Sequence, residues 1–193
     1  MSAPKKKYML DLKTINTNWT LFLDRDGVIN LEKHQDYVYH YEEFMFYEGV
    51  KEALRYLSTR FKRIIIITNQ RGVGRELMTE QALIDIHSQM VADIEAVGGR
   101  IHKIYYCTST DDAHPNRKPN PGLFREAQND FPDISPVTSI MVGNNLSDMQ
   151  FGRNAGMHTV FVRTTNPGQS FPHPLIDLAF NDLPSFAKAL QEA

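Results

Sequence analysis

A run of four isoleucines at 64–67 constrains the fold of this chain more than any other feature. Within the segment Arg63 to Thr68, the four isoleucines are β-branched and apolar at successive positions, so both faces of the strand that they form must be covered. A strand that is buried on both faces is typical of the centre of a parallel sheet with helices on either side. The segment therefore predicts an α/β protein.

Short apolar strands and amphipathic helices alternate along the rest of the chain. Val50, Leu54 and Leu57 have helical spacing, and a longer helical pattern begins after Thr79, a residue type that caps helix N-termini. Further strands are predicted at 21–23, 101–107, 139–142 and 158–162, and further helices at 122–129 and 148–155. This alternation predicts a three-layer α/β sandwich around a central parallel sheet.

Length and charge limit the domain organisation and the partners. The 193 residues suit one domain over residues 1–193. The net charge of −2 argues against nucleic acid or an anionic membrane as a partner, and we interpret Lys5-Lys6-Lys7 as a solvated tail. No segment approaches the about 20 apolar residues of a membrane span. With Cys107 as its single cysteine and no signal-peptide core, the chain is predicted to be cytoplasmic.

Polar side chains stand where the predicted strands end. Because the carboxyl ends of parallel strands meet at one edge of the sheet, these side chains are expected to form one site. They are Asp24 and Asp26 after the first strand, Thr68, Asn69 and Gln70 after the second, Arg117 and Lys118 after the third, and Asn144, Asn145 and Asp148 after the fourth.

This mixture of side chains suits the transfer of a phosphoryl group. Asp24 would attack phosphorus and form an aspartyl-phosphate, while Asp26 would protonate the leaving oxygen and then activate water. A hard cation on oxygen ligands, together with Lys118, would balance the charge of the group in transfer. The sequence thus predicts a phosphomonoesterase that acts on a small soluble phosphate.

The order of the motifs resembles that of the haloacid dehalogenase superfamily phosphatases. Asp-x-Asp-Gly after one strand, Thr-Asn after the next, a lysine before a helix and Val-Gly-x-x-x-x-Asp after another strand cover roughly Leu21 to Thr164. The stretches FLDRDGVIN, TNQRGVGR and RKPNPGLF are similar to the subgroup of D-glycero-D-manno-heptose 1,7-bisphosphate phosphatases and histidinol-phosphate phosphatases.

The resemblance implies a Rossmann-like core with short loop inserts and no large cap domain. It implies Mg²⁺, held by Asp24, the backbone carbonyl of Asp26 and the last motif, to which Asn144 and Asp148 belong. It also implies that the phosphoryl oxygens and the rest of the substrate are bound by side chains at the same edge. These are Thr68 and Lys118 for the phosphoryl group and Arg117 for the substrate, to which we add Asn69 and Arg75.

Two departures from the family pattern bear on the metals. The region CTSTDDAHPNRKP holds only Cys107 and His114 where relatives have a zinc loop, and a structural zinc site needs about four ligands, so no structural zinc is expected. Asn144 stands where the family commonly has aspartate. The amide oxygen can bind Mg²⁺ but brings no charge, so we expect weak Mg²⁺ binding unless Asp148 restores the charge, directly or through water.

Several alternatives remain open at this point. Within enzymes, the substrate is expected to be a sugar phosphate of the heptose bisphosphate type, with histidinol phosphate or another small phosphate ester as the rival. From a different class, a catalytically impaired protein that binds a phosphorylated ligand would also fit Asn144 and the incomplete cysteine loop. We expect a monomer or a small homo-oligomer.

Overall fold

The computed structural model describes residues 10–193, so the predicted lysine tail at 5–7 lies outside the described residues. Within this part of the chain, six parallel strands form one sheet in the order β3-β2-β1-β4-β5-β6. The strands are β1 (Thr20–Leu23), β2 (Arg63–Asn69), β3 (Lys103–Cys107), β4 (Ser139–Gly143), β5 (His158–Val162) and β6 (Leu178–Phe180). The helices are α1 (Val50–Arg60), α2 (Arg71–Gly74), α3 (Glu80–Ala96), α4 (Gly122–Asp130), α5 (Leu146–Ala155) and α6 (Leu183–Glu192).

The isoleucine run forms the strand that the sequence predicts. β2 lies between β1 and β3, with Leu21 opposite Ile64 and Ile66 opposite Ile104. All four isoleucines of the run are fully buried. Alternate residues of the sheet enter two separate cores, as expected of a sheet that is covered on both faces.

Helices cover both faces of the sheet and make the two outer layers of the sandwich. Ile64 and Ile66 pack into a core with the apolar faces of α1, α3 and α6. Ile65 and Ile67 pack into the opposite core with α4 and α5. The predicted Rossmann-like three-layer sandwich is therefore confirmed.

The connections that follow β1 and β2, at the carboxyl edge of the sheet, are short. The connection at 24–49, between β1 and α1, contains a single 3-10 turn, Tyr41–Glu43, as its regular element. The connection at 70–79 contains α2, which has four residues. Neither insert is long enough for a separate cap domain. In residues 10–193 no helix is long and apolar enough to cross a membrane.

The structure differs locally from the sequence predictions. From the sequence we interpret Arg71-Gly72-Val73-Gly74 as a flexible loop that borders the site, but the structure forms the one-turn helix α2 there. The helix predicted at 148–155 begins at Leu146, because the Asp148 carboxylate accepts a hydrogen bond from the backbone N–H of Asn145 (3.1 Å) and caps the first turn. β6 and α6 were not predicted. By contrast, Thr79 caps α3 as predicted, and its hydroxyl accepts from the Ala82 N–H at 3.1 Å.

Candidate active site

A polar cleft lies at the carboxyl edge of the sheet, where β1, β2 and β4 end. Six of the predicted site residues line it: Asp24, Asp26, Thr68, Asn69, Lys118 and Asp148. Residues without a predicted catalytic or binding role complete the lining, among them Arg25, Glu32, Tyr37, Gln70, Asn145 and Ser147. The parallel topology therefore brings together the side chains that follow different strands.

Lys118 is the charged centre of this cleft. Its Nζ lies 2.9 Å from Asp24 Oδ1 and 2.6 Å from Asp148 Oδ1, and all three side chains are buried. Burial by itself disfavours the ammonium, but the charges of Asp148 and Asp24 raise the pKa of Lys118 above its ordinary value. The lysine is therefore cationic, and two carboxylates hold its ammonium in place at the cleft.

Asp24 is subject to opposing electrostatic effects. Burial raises the pKa of Asp24 to about 7, a shift that Lys118 opposes and that the neighbouring charges of Asp148 and Asp26 reinforce. Asp24 Oδ1 also accepts a hydrogen bond from the Arg25 backbone N–H at 2.8 Å. Because burial disfavours the ionised carboxylate, a further positive charge beside Asp24 would stabilise it.

The pKa of Asp26 is shifted in the direction opposite to that of Asp24. Burial alone would raise its pKa, but the charge and hydrogen bonds of Arg25 and the hydrogen bonds of Asn30 and Gln70 hold the pKa of Asp26 below its usual value. Asn30 Nδ2 donates to Oδ1 and Gln70 Nε2 donates to Oδ2, each at 2.9 Å. With 27% of its side chain exposed, Asp26 faces the cleft as a carboxylate that can accept a proton.

The two residues at the end of β2 differ in what they touch. Thr68 is buried against the cleft, and its hydroxyl accepts a hydrogen bond from Gln70 Nε2 at 2.9 Å. Asn69 exchanges two hydrogen bonds with the Lys118 backbone, one to its carbonyl (3.2 Å) and one from its N–H (3.1 Å). Asn69 thus connects the end of β2 to the segment that carries Lys118.

Asn144 is fully buried and is not among the residues that line the cleft. Its Nδ2 donates to Glu32 Oε2 (3.0 Å) and to Thr165 Oγ1 (2.7 Å), whereas its Oδ1 has no hydrogen-bond partner among the described residues. A Cβ on Gly27, where φ is +81°, would clash with the Asn144 amide nitrogen, so only glycine fits this turn.

The buried, unpartnered amide oxygen of Asn144 fits a Mg²⁺ ligand set. A buried acceptor without a partner is costly, and a hard cation on oxygen ligands would satisfy it. The described residues hold no cluster of three or more His, Cys, Asp or Glu side chains placed for a metal. A site made of one carboxylate, one backbone carbonyl and one amide oxygen does not need such a cluster.

The two predicted substrate arginines lie outside the cleft lining. Arg117 Nε donates to Asp112 Oδ1 at 3.0 Å, and Arg71 contacts the same carboxylate. Arg75 is exposed, and its Nη1 donates to the hydroxyl of Tyr37 at 3.1 Å. Because Arg117 precedes Lys118 in the chain and Tyr37 lines the cleft, both arginines stand at its border.

The cysteine and histidine of the incomplete zinc loop are neighbours. Cys107 Sγ lies 3.6 Å from His114 Nδ1, which also accepts from the Asn116 N–H at 3.2 Å. Two ligands fall short of the about four that a structural zinc site uses. The absence of structural zinc stays a prediction.

A parallel sheet with this set of side chains at its carboxyl edge defines a hydrolase of the haloacid dehalogenase type. The HAD-hydrolase-like family model matches residues 115–175. A D-glycero-alpha-D-manno-heptose-1,7-bisphosphate 7-phosphatase of Campylobacter jejuni is 39% identical over 142 residues, 74% of this chain and 80% of the relative. A D-glycero-beta-D-manno-heptose-1,7-bisphosphate 7-phosphatase of Photorhabdus laumondii is 32% identical over 180 residues, 89% of this chain and 94% of the relative.

A solved structure extends the similarity to the fold. The D,D-heptose 1,7-bisphosphate phosphatase from B. bronchiseptica, complexed with magnesium and phosphate, superposes with a TM-score of 0.81 at 29% identity, covering 91% of this chain and 99% of that one. The chain belongs to the haloacid dehalogenase-like phosphatases. Because these relatives are phosphatases, the chain is a phosphoric monoester hydrolase, and the comparisons favour an enzyme over an impaired binding protein.

Proposed function

We propose that the protein is a Mg²⁺-dependent sugar-phosphate phosphatase that removes the 7-phosphate of a D-glycero-D-manno-heptose 1,7-bisphosphate. The buried contact of Lys118 with Asp24 and Asp148 supports the proposal most directly, because a carboxylate suited to attack phosphorus lies beside a fixed cation at the edge of the sheet. Relatives named for the alpha and for the beta anomer both match the chain, so the proposal covers both anomers. Histidinol phosphate or another small phosphate ester is the alternative substrate.

The chemistry proceeds in two displacements at phosphorus. In the first, a carboxylate oxygen of Asp24 bonds to phosphorus, the bond to the leaving oxygen breaks, and Asp26 gives that oxygen a proton. In the second, Asp26 takes a proton from water as the water oxygen bonds to phosphorus and the bond to Asp24 breaks. Thr68 and Lys118 donate hydrogen bonds to the phosphoryl oxygens in both displacements. Inorganic phosphate leaves, and Asp24 returns to its carboxylate form.

Mg²⁺ would be held by Asp24, the Asp26 carbonyl and the Asn144 amide oxygen. When bound, it supplies positive charge against the phosphoryl oxygens and the Asp24 carboxylate. Both oxygens of Asp148 already have donors, Lys118 Nζ for Oδ1 and the Asn145 N–H for Oδ2. This supports Asn144 as the direct ligand, with Asp148 contributing charge to the site.

The remaining parts of the substrate would be bound at the border of the cleft. Arg117 and Arg75 would contact the sugar or its second phosphate, and Asn69 would contribute through its hold on Lys118. Arg117 is paired with the exposed carboxylate of Asp112, which an anionic substrate group can replace. We also propose that residues 1–193 form one domain and that the enzyme is cytoplasmic, as a monomer or a small homo-oligomer.

Phosphate release from a panel of monoesters tests this function. The panel includes both anomers of the heptose bisphosphate and histidinol phosphate, each with Mg²⁺ and with a chelator. Asp24→Asn removes the nucleophile with little change in shape, and Asp85→Asn, at an exposed position of α3, is the matched control. We expect release that needs Mg²⁺ and Asp24 and is fastest with a heptose bisphosphate. Fastest release from histidinol phosphate would overturn the substrate assignment.

A further inference from the structure

Arg25 is a buried cation that neither displacement at phosphorus uses directly. Its side chain is 2% exposed, although it stands between two aspartates at the edge of a cleft. Its Nη2 lies 2.8 Å from Oδ1 and 2.9 Å from Oδ2 of Asp26, and its Nε lies 3.3 Å from Oδ1. The guanidinium thus contacts both oxygens of the Asp26 carboxylate, a geometry that fixes orientation as well as charge.

His87 holds the other end of the guanidinium. It projects from the middle of α3, is 5% exposed, and its Nε2 lies 3.0 Å from Arg25 Nη1. Arginine is always a donor, so His87 Nε2 must be the acceptor and the ring must be neutral. Burial and the charge of Arg25 agree with this, since they lower the pKa of His87 to about 3. His87, Arg25 and Asp26 are therefore linked by hydrogen bonds, and the first two of these side chains are buried.

Aromatic rings complete the surroundings of this chain. The Phe44 ring centroid lies 6.0 Å from Arg25 Cζ, and the Tyr106 ring lies 5.7 Å from the His87 ring. In such surroundings, a guanidinium N–H without an acceptor is unfavourable. His87 supplies that acceptor for Arg25 Nη1, on the side of the guanidinium away from Asp26.

We propose that Arg25, anchored by His87, is a positioning residue that aims the Asp26 carboxylate for the hydrolysis of the aspartyl-phosphate. In that step the water oxygen bonds to phosphorus, the bond from phosphorus to Asp24 breaks, and the water proton passes to Asp26. The hydrogen bonds from Arg25, Asn30 and Gln70 hold the Asp26 carboxylate in its ionised form and in one orientation at the cleft, from which it can take this proton. The inference rests on the roles proposed above for Asp24 and Asp26.

A matched pair of variants at His87 tests the inference. His87→Leu removes the acceptor and replaces it with an apolar side chain of similar bulk. His87→Gln instead provides an amide oxygen that can accept from Arg25. The substrate is 4-nitrophenyl phosphate with Mg²⁺, because its good leaving group needs no proton from Asp26. Rapid quenching then separates formation of the phosphoenzyme from its hydrolysis.

We expect His87→Leu to slow hydrolysis of the phosphoenzyme by roughly tenfold or more, a part of the 10²–10⁴-fold effect of general acid–base catalysis. Formation should change much less, so phosphoenzyme accumulates, and His87→Gln should restore hydrolysis. Equal slowing of both steps, no slowing, or failure of glutamine to restore the rate would overturn the inference.

A second variant covers the case in which His87→Leu does not fold. Arg25→Lys keeps the charge and loses the two-pronged contact with Asp26, and it too should slow hydrolysis more than formation. Equal effects on the two steps would again overturn the inference. Wild-type protein that forms no phosphoenzyme through Asp24 would overturn the proposed function itself, whereas normal wild-type turnover with unaffected variants would overturn only the positioning role.

Discussion

Lys118 bridges two carboxylates that come from different strands of the sheet. Its Nζ lies 2.9 Å from Asp24, which follows β1, and 2.6 Å from Asp148, which follows β4 in the first turn of α5. One ammonium thus compensates two buried negative charges. We therefore expect the same contact to affect both the stability of the metal-free protein and its rate of phosphate release.

Lys118→Met is expected to affect both properties. It leaves two carboxylates buried without their counter-charge, so the free energy of unfolding in chelator should fall by about 3–5 kcal/mol. Phosphate release should fall by roughly 100-fold or more, the size of effect seen when one donor to a transition-state oxygen is lost. Urea unfolding and phosphate assays measure the two effects, and Lys188→Met, at an exposed position of α6, is the control. Unchanged stability would contradict the bridging role.

Asn144→Asp is expected to weaken the metal-free protein and to strengthen Mg²⁺ binding. The new carboxylate would replace the amide that now donates to Glu32 (3.0 Å) and Thr165 (2.7 Å), at a cost of about 1–3 kcal/mol in chelator. One added ligand charge should lower the dissociation constant for Mg²⁺ by roughly tenfold. Calorimetric titration and thermal unfolding, each with and without Mg²⁺, follow the two effects.

Glu32 provides the control for that substitution. Because repulsion between the introduced carboxylate and Glu32 causes part of the lost stability, adding Glu32→Gln to Asn144→Asp should recover part of it in chelator. A variant that binds Mg²⁺ no more tightly than the wild type would rule out Asn144 as a ligand.

Asp177, which lies away from the active site, is expected to make the stability of the protein depend on pH. It receives hydrogen bonds from Arg153 Nη1 and Nη2, each at 2.8 Å. Burial alone would raise its pKa, but the hydrogen bonds of His158, Arg153 and the Thr159 backbone hold the pKa of Asp177 well below its usual value. Because the pKa of Asp177 is lower in the folded protein than the unfolded value of about 3.9, ionised Asp177 stabilises the protein at pH values above about 3.9. This stabilisation is lost as the pH falls through the folded-state pKa.

The comparison with Asp177→Asn isolates this contribution. At pH 7 the variant should be less stable by about 3 kcal/mol or more, because Arg153 loses its charged partner. The difference between the two proteins should shrink as the pH falls below about 4. A difference that stays constant down to about pH 2 would show that the charge of Asp177 does not contribute. Urea unfolding at a series of pH values provides the measurement.

Purified protein is expected to contain substoichiometric zinc. Cys107 and His114 lie side by side, but a structural site needs about four ligands. Elemental analysis of protein prepared without chelators measures the content. One zinc per chain that disappears in Cys107→Ala would contradict this prediction.

The sequence predicts the sheet and its catalytic edge because both follow from local patterns. The isoleucine run at 64–67 requires burial on both faces, and the parallel topology then places Asp24, Thr68 and Asp148 at one edge. β6 was missed because Leu178–Phe180 is only three residues long, and its residues are all partly exposed instead of buried like those of the central strands.

The contacts within the site could not be read from local patterns. Arg25 and His87 are 62 positions apart, and Asn144 and Glu32 are 112 positions apart, so only the folded chain shows that they touch. Arg25 did carry one signal, since a charge between two acids at the end of a buried strand must find a partner. Nothing in the sequence indicated which helix would supply it.

Trapping the phosphoenzyme tests the central claim, that Asp24 is the nucleophile. The protein is mixed briefly with a good substrate and Mg²⁺, quenched in acid and digested, and the phosphorylated peptide is located by mass spectrometry. We expect phosphate on the peptide that contains Asp24, released by hydroxylamine as expected of an acyl phosphate and absent from Asp24→Asn. Phosphate on another residue, or full turnover by Asp24→Asn, would contradict it.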